Sequence, residues 1–161
     1  MPEIICNTSP FQYLHQLGRL ELLPRLFSNV VVPTAVSAEL AEGRRLGVDV
    51  PQPEMLPWAE LREPHSEVVL SLITDLGAGE TATLALALES GDAVVILDDA
   101  LARRHAHRLG LRFTGTLGLL IDAKRAGLIK AVSPVLDELQ RLRFWLSAST
   151  REAVLRLAGE A

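Results

Sequence analysis

The most apolar stretch of the chain ends in two carboxylates. Residues 93–97 are Ala-Val-Val-Ile-Leu, three of them β-branched, and Asp98-Asp99 follow at once. An apolar run without alternation reads as a strand buried on both faces of a parallel sheet. Open α/β sheets bind ligands beyond the carboxyl ends of their strands. The pair therefore sits where such a fold does chemistry. The same position also suits a helix N-cap, since residues 100–109 have helical spacing. Three more oxygen-bearing side chains fall into place around it: Asn7 after the apolar Ile4-Ile5-Cys6, Glu39, and Glu80. Inward carboxylates without a lysine among them repel one another unless a cation compensates. Hard oxygen donors of this kind suit Mg2+ or Mn2+ better than Zn2+.

Each residue also has a plainer explanation. Glu39 could be a solvated helix residue. Glu80, in a first helical turn, could merely complement the helix dipole. Asn7 could close an Asx-turn. Convergence carries the signal, and topology supplies it. Asn7 ends the first strand, and Glu39 lies one to two turns into the helix after the second. Glu80 opens the helix that leads down to the central strand. A helix that precedes a parallel strand must start at the edge where strands finish, so all five positions share one rim. On the helical faces, Val36, Glu39, Leu40 and Gly43 form one stripe, and Glu80, Leu84, Ala87 and Leu88 another, so both glutamates point partly inward.

The remaining elements follow in order. Ser9 and Pro10 suit an N-cap and first position of a helix that stops at Gly18. A short helix over 20–27, a strand at 30–32 and a helix over 34–46 come next. Residues 47–64 hold four prolines and read as a long loop with one edge strand near 59–61. Residues 66–76 read as helix, broken by Gly77-Ala78-Gly79, and 80–89 as a helix apolar nearly all round, hence buried. After the central strand and its helix, 111–113 form a last short strand. Helices over 115–126, 134–142 and 150–158 finish the chain. This alternation predicts a three-layer α/β/α domain over residues 1–161, with C-terminal helices from about 132. Its central sheet is mainly parallel, with four or five strands and the first strand beside the 93–97 strand.

Bulk properties set the class. The chain has 161 residues, 48% hydrophobic and 22% charged, with a net charge of -4. That charge excludes coating nucleic acid by bulk attraction and leaves room for a local basic patch. One cysteine, Cys6, permits no internal disulfide and reads as inert core. No signal-peptide pattern and no apolar stretch of membrane-spanning length is visible, which points to a cytoplasmic protein.

Five motifs in order carry a family resemblance. They are Ile4-Ile5-Cys6-Asn7-Thr8-Ser9-Pro10; Pro33-Thr34-Ala35-Val36-Ser37-Ala38-Glu39-Leu40; and Gly77-Ala78-Gly79-Glu80 with Leu86-Ala87. Ile96-Leu97-Asp98-Asp99 with Ala102-Arg103-Arg104, and Thr114-Gly115-Thr116-Leu117-Gly118, complete the set. The series resembles the PIN-domain superfamily in its VapC-like toxin branch. The resemblance implies an endoribonuclease dependent on Mg2+ or Mn2+, the toxin of a type II toxin–antitoxin system. Its partners would be RNA, a cognate antitoxin and a second copy of the chain. By position it assigns the metal and catalytic roles to Asn7, Glu39, Glu80 and Asp99, with Asp98 as neighbour or substitute and Thr8 or Ser9 as accessory hydroxyl. The chain departs from the family at Asn7, where an aspartate is usual. An amide offers a carbonyl oxygen but no charge, so metal affinity and hydroxide formation should both fall.

Beside this reading, Arg103, Arg104 and Arg108 follow Asp99 directly and could hold RNA phosphates; an ordinary solvated helix face is the alternative. His105 and His107 are two apart and face different ways on a helix, so they form no metal pair. Phe144 and Trp145 are expected in the core. Two rival functions remain. Gly77-x-Gly79-x-x-Ala82 loosely matches a dinucleotide fingerprint, and needs 68–74 to be a strand. A catalytically silent protein-binding module would keep the fold and cut nothing, and Asn7 favours it.

Overall fold

Residues 2–161 are described by the computed structural model. Four-residue strands β1 (Glu3–Cys6), β2 (Val30–Pro33) and β4 (Ala93–Ile96) form its centre. β3 (Ala59–Arg62) and β5 (Arg112–Thr114) form the edges. The five strands seen among the described residues run parallel in the order β3-β2-β1-β4-β5. Ile5 lies opposite both Val31 and Val95, and Cys6 opposite Ile96. Successive strand side chains point to opposite faces, and here both faces are covered. Ile4, Cys6, Val30, Val32 and Ile96 pack on one side with Phe11, Leu14, Leu119, Leu136 and Leu139. Ile5, Val31, Val95 and Leu97 pack on the other with Leu84, Leu86, Ala102 and Ala106. This is the expected α/β/α arrangement, with β1 at the centre and β4 beside it.

The helices follow the apolar spacing. α1 (Thr8–Gln16) and α2 (Leu22–Leu26) join β1 to β2, and α3 (Thr34–Arg45) starts directly at the end of β2. α4 (Glu67–Leu72) is short. α5 (Ala78–Ser90) is buried almost throughout, as its unbroken Leu-Ala run requires. α6 (Ala100–Arg108) and α7 (Thr116–Arg125) flank β5. α8 (Ser133–Arg141) and α9 (Ala148–Leu157) place Val135, Leu136, Leu139 and Val154 in the same buried cluster as Phe11. Cys6 is fully buried, and burial pushes its thiol well above the usual range, so it is inert core. Among the described residues no helix is long and apolar enough to cross a membrane.

Two expectations are corrected, and one rival reading loses its support. α1 begins at Thr8, so Ser9 is not its N-cap and Pro10 is its third residue. Pro10 fits there because the first four helical N–H groups have no partner within the helix anyway. Residues 67–72 are helix, with Ser66 Oγ accepting from the Val69 N–H at 3.3 Å, so no strand enters the glycines. The dinucleotide fingerprint thereby loses its structural context. Trp145 is not core: it is 84% exposed, while Phe144 is half-buried against the cluster.

Candidate active site

The strand order places the site. From β1 the chain steps outward to β2 and β3, then crosses back to β4 on the other side of β1. The order therefore reverses between β1 and β4, and ligands bind outside strand ends at such a point. Asn7 leaves β1 there, its N–H donating to the Ile96 carbonyl at 3.0 Å. Asp98 and Asp99 leave β4 beside it. A cleft of about 590 Å3 opens at this point. Asn7, Thr8, Ser9, Glu39, Glu80, Asp98 and Asp99 all line it, with Gln12, Tyr13, Phe144 and Trp145 at other parts of its wall.

The two aspartates do different jobs. Asp98 is fixed from two elements: Ser9 Oγ donates to Oδ2 at 3.0 Å, Thr116 Oγ1 to Oδ2 at 2.7 Å, and the Thr116 N–H to Oδ1 at 2.8 Å. It ties α1 and α7 to the end of β4. A Cβ on Gly115 would sit 2.8 Å from Asp98 Oδ1, so only glycine lets the chain pass. Asp99 is the N-cap of α6, with Oδ2 accepting from the Ala102 N–H at 2.9 Å. Its carboxylate also lies close enough to Glu80 to raise that group's pKa. The capping role and the site role thus coincide on one residue.

Glu39 is not a solvated surface residue. Thr8 Oγ1 donates to its Oε1 at 2.6 Å, and the Gly79 N–H to its Oε2 at 3.1 Å. A Cβ at position 79 would collide with this carboxylate. Gly79 therefore serves close approach of Glu39 to the start of α5. Asn7 closes no Asx-turn: it caps α1 by position without a side-chain hydrogen bond, is 4% exposed, and its Oδ1 is buried without a partner. Glu80 Oε2 is likewise buried and unpartnered. Burial, then the Asp99 carboxylate, and then Glu39 push the Glu80 carboxyl up to about 7, against a hydrogen bond from the Gly77 backbone.

These observations bear on a divalent ion. Among the described residues no three Asp, Glu, His or Cys groups are gathered closely enough to hold an ion by themselves. Glu39 and Asp98 are already bound by protein donors. What the cleft does offer is two orphaned buried oxygens, Asn7 Oδ1 and Glu80 Oε2, beside Asp99 and near Glu39. Orphaned buried acceptors cost about 1–3 kcal/mol each. A hard cation would satisfy both and relieve the repulsion that raises Glu80. In chemistry, oxygen donors throughout, the set suits such an ion, with Asn7 as its weakest member.

Beside this cleft lies a second, of about 570 Å3, lined by Asp98, Ala100, Arg103, Arg104, His107, Arg108 and Phe113. The three arginines expected to act together do share one wall. None has a carboxylate within ion-pair distance among the described residues. The Arg103 guanidinium lies over the Phe113 ring, 5.0 Å from its centroid, and its Nε is buried without a hydrogen bond. His105 instead pairs with Asp75 at 2.8 Å. Two site residues went unassigned in the sequence: Thr116, although its motif was visible, and Trp145, whose apolar character pointed to the core.

A family model described as a PIN domain matches residues 3–160. No curated protein matches the chain. PIN domains are generally nucleases, bind RNA and usually use divalent metal ions. The match begins at the first residue of β1 and ends beyond α9, so this chain belongs to the PIN-domain family.

Proposed function

We propose that the chain is an endoribonuclease dependent on Mg2+ or Mn2+, of the VapC-like branch, acting as the toxin of a type II toxin–antitoxin pair. The observation that carries the proposal is the pair of orphaned buried oxygens on Asn7 and Glu80, facing one cleft with Asp99. Asn7, Glu80 and Asp99 would hold the ion, with Glu39 and Asp98 completing the acidic set around it. When bound, a divalent ion lowers the pKa of water and stabilises charge on phosphoryl oxygens. Asp98 fixes the ends of α1 and α7 against β4, and Ser9 holds it from α1 as the accessory hydroxyl. Thr8 and the Gly79 N–H keep Glu39 turned toward the cleft. Arg103, Arg104 and Arg108 bind phosphates flanking the scissile one. A cytoplasmic homodimer, its 161 residues forming one PIN-like unit, and a cognate antitoxin belong to the same reading.

One observation favours a second reading, the catalytically silent binding module: the amide at position 7. Asn7→Asp separates the two. A carboxylate there should tighten Mn2+ binding by about tenfold, if ~1.4 kcal/mol of Coulomb attraction survives desolvation. RNA cleavage should rise with it, and Asp99→Asn should abolish both. Calorimetry with Mn2+ and cleavage of a labelled RNA are the measurements. A folded Asn7→Asp variant that gains neither leaves the silent module as the better description. The toxin role predicts growth arrest on expression of Asn7→Asp, relieved by the product of the adjacent gene.

A further inference from the structure

We propose that Trp145 is a stacking platform for an unpaired nucleobase of the bound strand, next to the scissile phosphate. The proposal rests on the nuclease reading above for the identity of the strand. Its physical basis is separate.

The chain has two tryptophans, and they are treated oppositely. Trp58 stacks on Phe11, ring centroids 6.1 Å apart and planes 13° from parallel. Trp145 is 84% exposed and has no ring partner among the described residues. Its place is built rather than left over. α8 ends in two reverse hydrogen bonds, Arg143 N–H to the Gln140 carbonyl at 3.1 Å and Phe144 N–H to the Leu139 carbonyl at 3.0 Å. That Schellman turn needs a left-handed residue after the cap. Arg143 supplies it at φ 68°, the one non-glycine with positive φ among the described residues. Phe144 then packs edge-on against Tyr13, centroids 5.0 Å apart. Three residues after Phe144, Ser147 caps α9, accepting from the Thr150 N–H at 3.1 Å. The backbone that carries the indole is thus fixed on both sides, so little backbone order is lost when a ring stacks on it.

Two clefts meet at this indole. It lines the acidic cleft with Asn7, Glu80 and Asp99, and a smaller one with Asp98, Arg103, Ser147 and Thr150. Arg103 also lines the basic cleft with Arg104 and Arg108. An aromatic face beside the reacting centre, with a guanidinium next to it, is what successive bases and phosphates of one strand require. A protein partner would ask for a broader apolar patch. The other strongly exposed apolar side chains, Leu46, Met55, Leu72 and Leu157, line neither cleft. A base inside a duplex has both faces stacked already, so only an unpaired base can use the indole.

The test compares an unstructured RNA with the same strand annealed to its complement. Binding is measured in EDTA by quenching of tryptophan fluorescence, and cleavage in Mn2+. Trp145→Ala should weaken single-strand binding roughly tenfold, and remove the quenching while Trp58 still emits. Trp145→Tyr should restore most of the affinity. Duplex binding should scarcely change. Single-strand affinity equal to wild type in Trp145→Ala overturns the platform, as does a wild type that binds no single strand. A change in oligomeric mass with unchanged RNA affinity would make Trp145 a protein contact and also overturn it. Quenching and its loss, with no cleavage by either the wild type or Asn7→Asp, would sink the nuclease reading and leave the platform standing. Cleavage that Trp145→Ala performs as well as wild type, with unchanged affinity, would do the reverse.

Discussion

Asp99 accepts the Ala102 N–H as a helix cap and turns a charge toward Glu80. A single substitution can therefore separate structure from chemistry. Asparagine caps helices as well as aspartate does, whereas alanine costs about 1 kcal/mol. Asn also removes the repulsion that raises Glu80. Without divalent ions, Asp99→Asn should unfold at the same or a higher denaturant concentration than wild type, and Asp99→Ala at a lower one. RNA cleavage should vanish equally in both. If the Asn variant loses as much stability as the Ala variant, the charge rather than the cap supports α6. Position 79 allows a similar separation. Glycine-to-alanine near a helix start gains up to about 1 kcal/mol in propensity, but here the new methyl must displace the Glu39 carboxylate. Gly79→Ala should keep its melting temperature within a few degrees and lose Mn2+ affinity as Glu39→Ala does. The acidic residues were legible because rim position follows from topology alone. The partners of each carboxylate were not. Thr116 lies eighteen residues of sequence past Asp98, and nothing in periodicity says that its hydroxyl reaches that carboxylate.

At the scale of elements the sequence was read most accurately where burial is two-sided. β2 and β4, and β1 past Glu3, are continuous apolar runs, and α5 holds a Leu-Ala run that no exposed helix would carry. Errors fell on ends, where tertiary bonds override local preference. Ser9 looked like a cap, yet Asp98 claims its hydroxyl and α1 starts two residues earlier than expected, at Thr8. Trp145 looked like core because hydropathy carries no direction, and the turn after Arg143 aims it outward. That turn makes its own prediction. A left-handed arginine is strained by roughly 1 kcal/mol, which glycine avoids. Arg143→Gly should raise the midpoint of urea unfolding by an amount worth about 0.5–1 kcal/mol. A lower midpoint would mean that the Arg143 side chain holds the turn through contacts stronger than its strain.

For the molecule as a whole, α7, α8 and the segment after α9 are clasped by one carboxylate. Glu160 Oε1 accepts the Ser133 N–H at 3.0 Å, and Oε2 accepts the Val132 N–H at 2.7 Å and Lys124 Nζ at 3.0 Å. Two orphan N–H groups at the start of α8 and a cation on α7 thus share one anion, and Lys124 also donates to the Ala158 carbonyl at 2.7 Å. The Val132 N–H, helped by Lys124 and the Ser133 N–H, holds the Glu160 carboxyl below its ordinary range. A carboxylate whose folded pKa is depressed contributes stability that is present above the unfolded pKa and is lost as pH falls through the folded one. Glu160→Gln should therefore cost about 1–2 kcal/mol at neutral pH, typical of losing charged hydrogen bonds at a helix start. The gap from wild type should narrow as pH falls from the ordinary carboxylate range through the depressed folded pKa, because both proteins become neutral at this position below it. Urea unfolding of the two proteins across that range measures it. A gap that stays constant down to pH 3 would mean the clasp works through its geometry in either protonation state, and its charge would then play no part in holding these helices together.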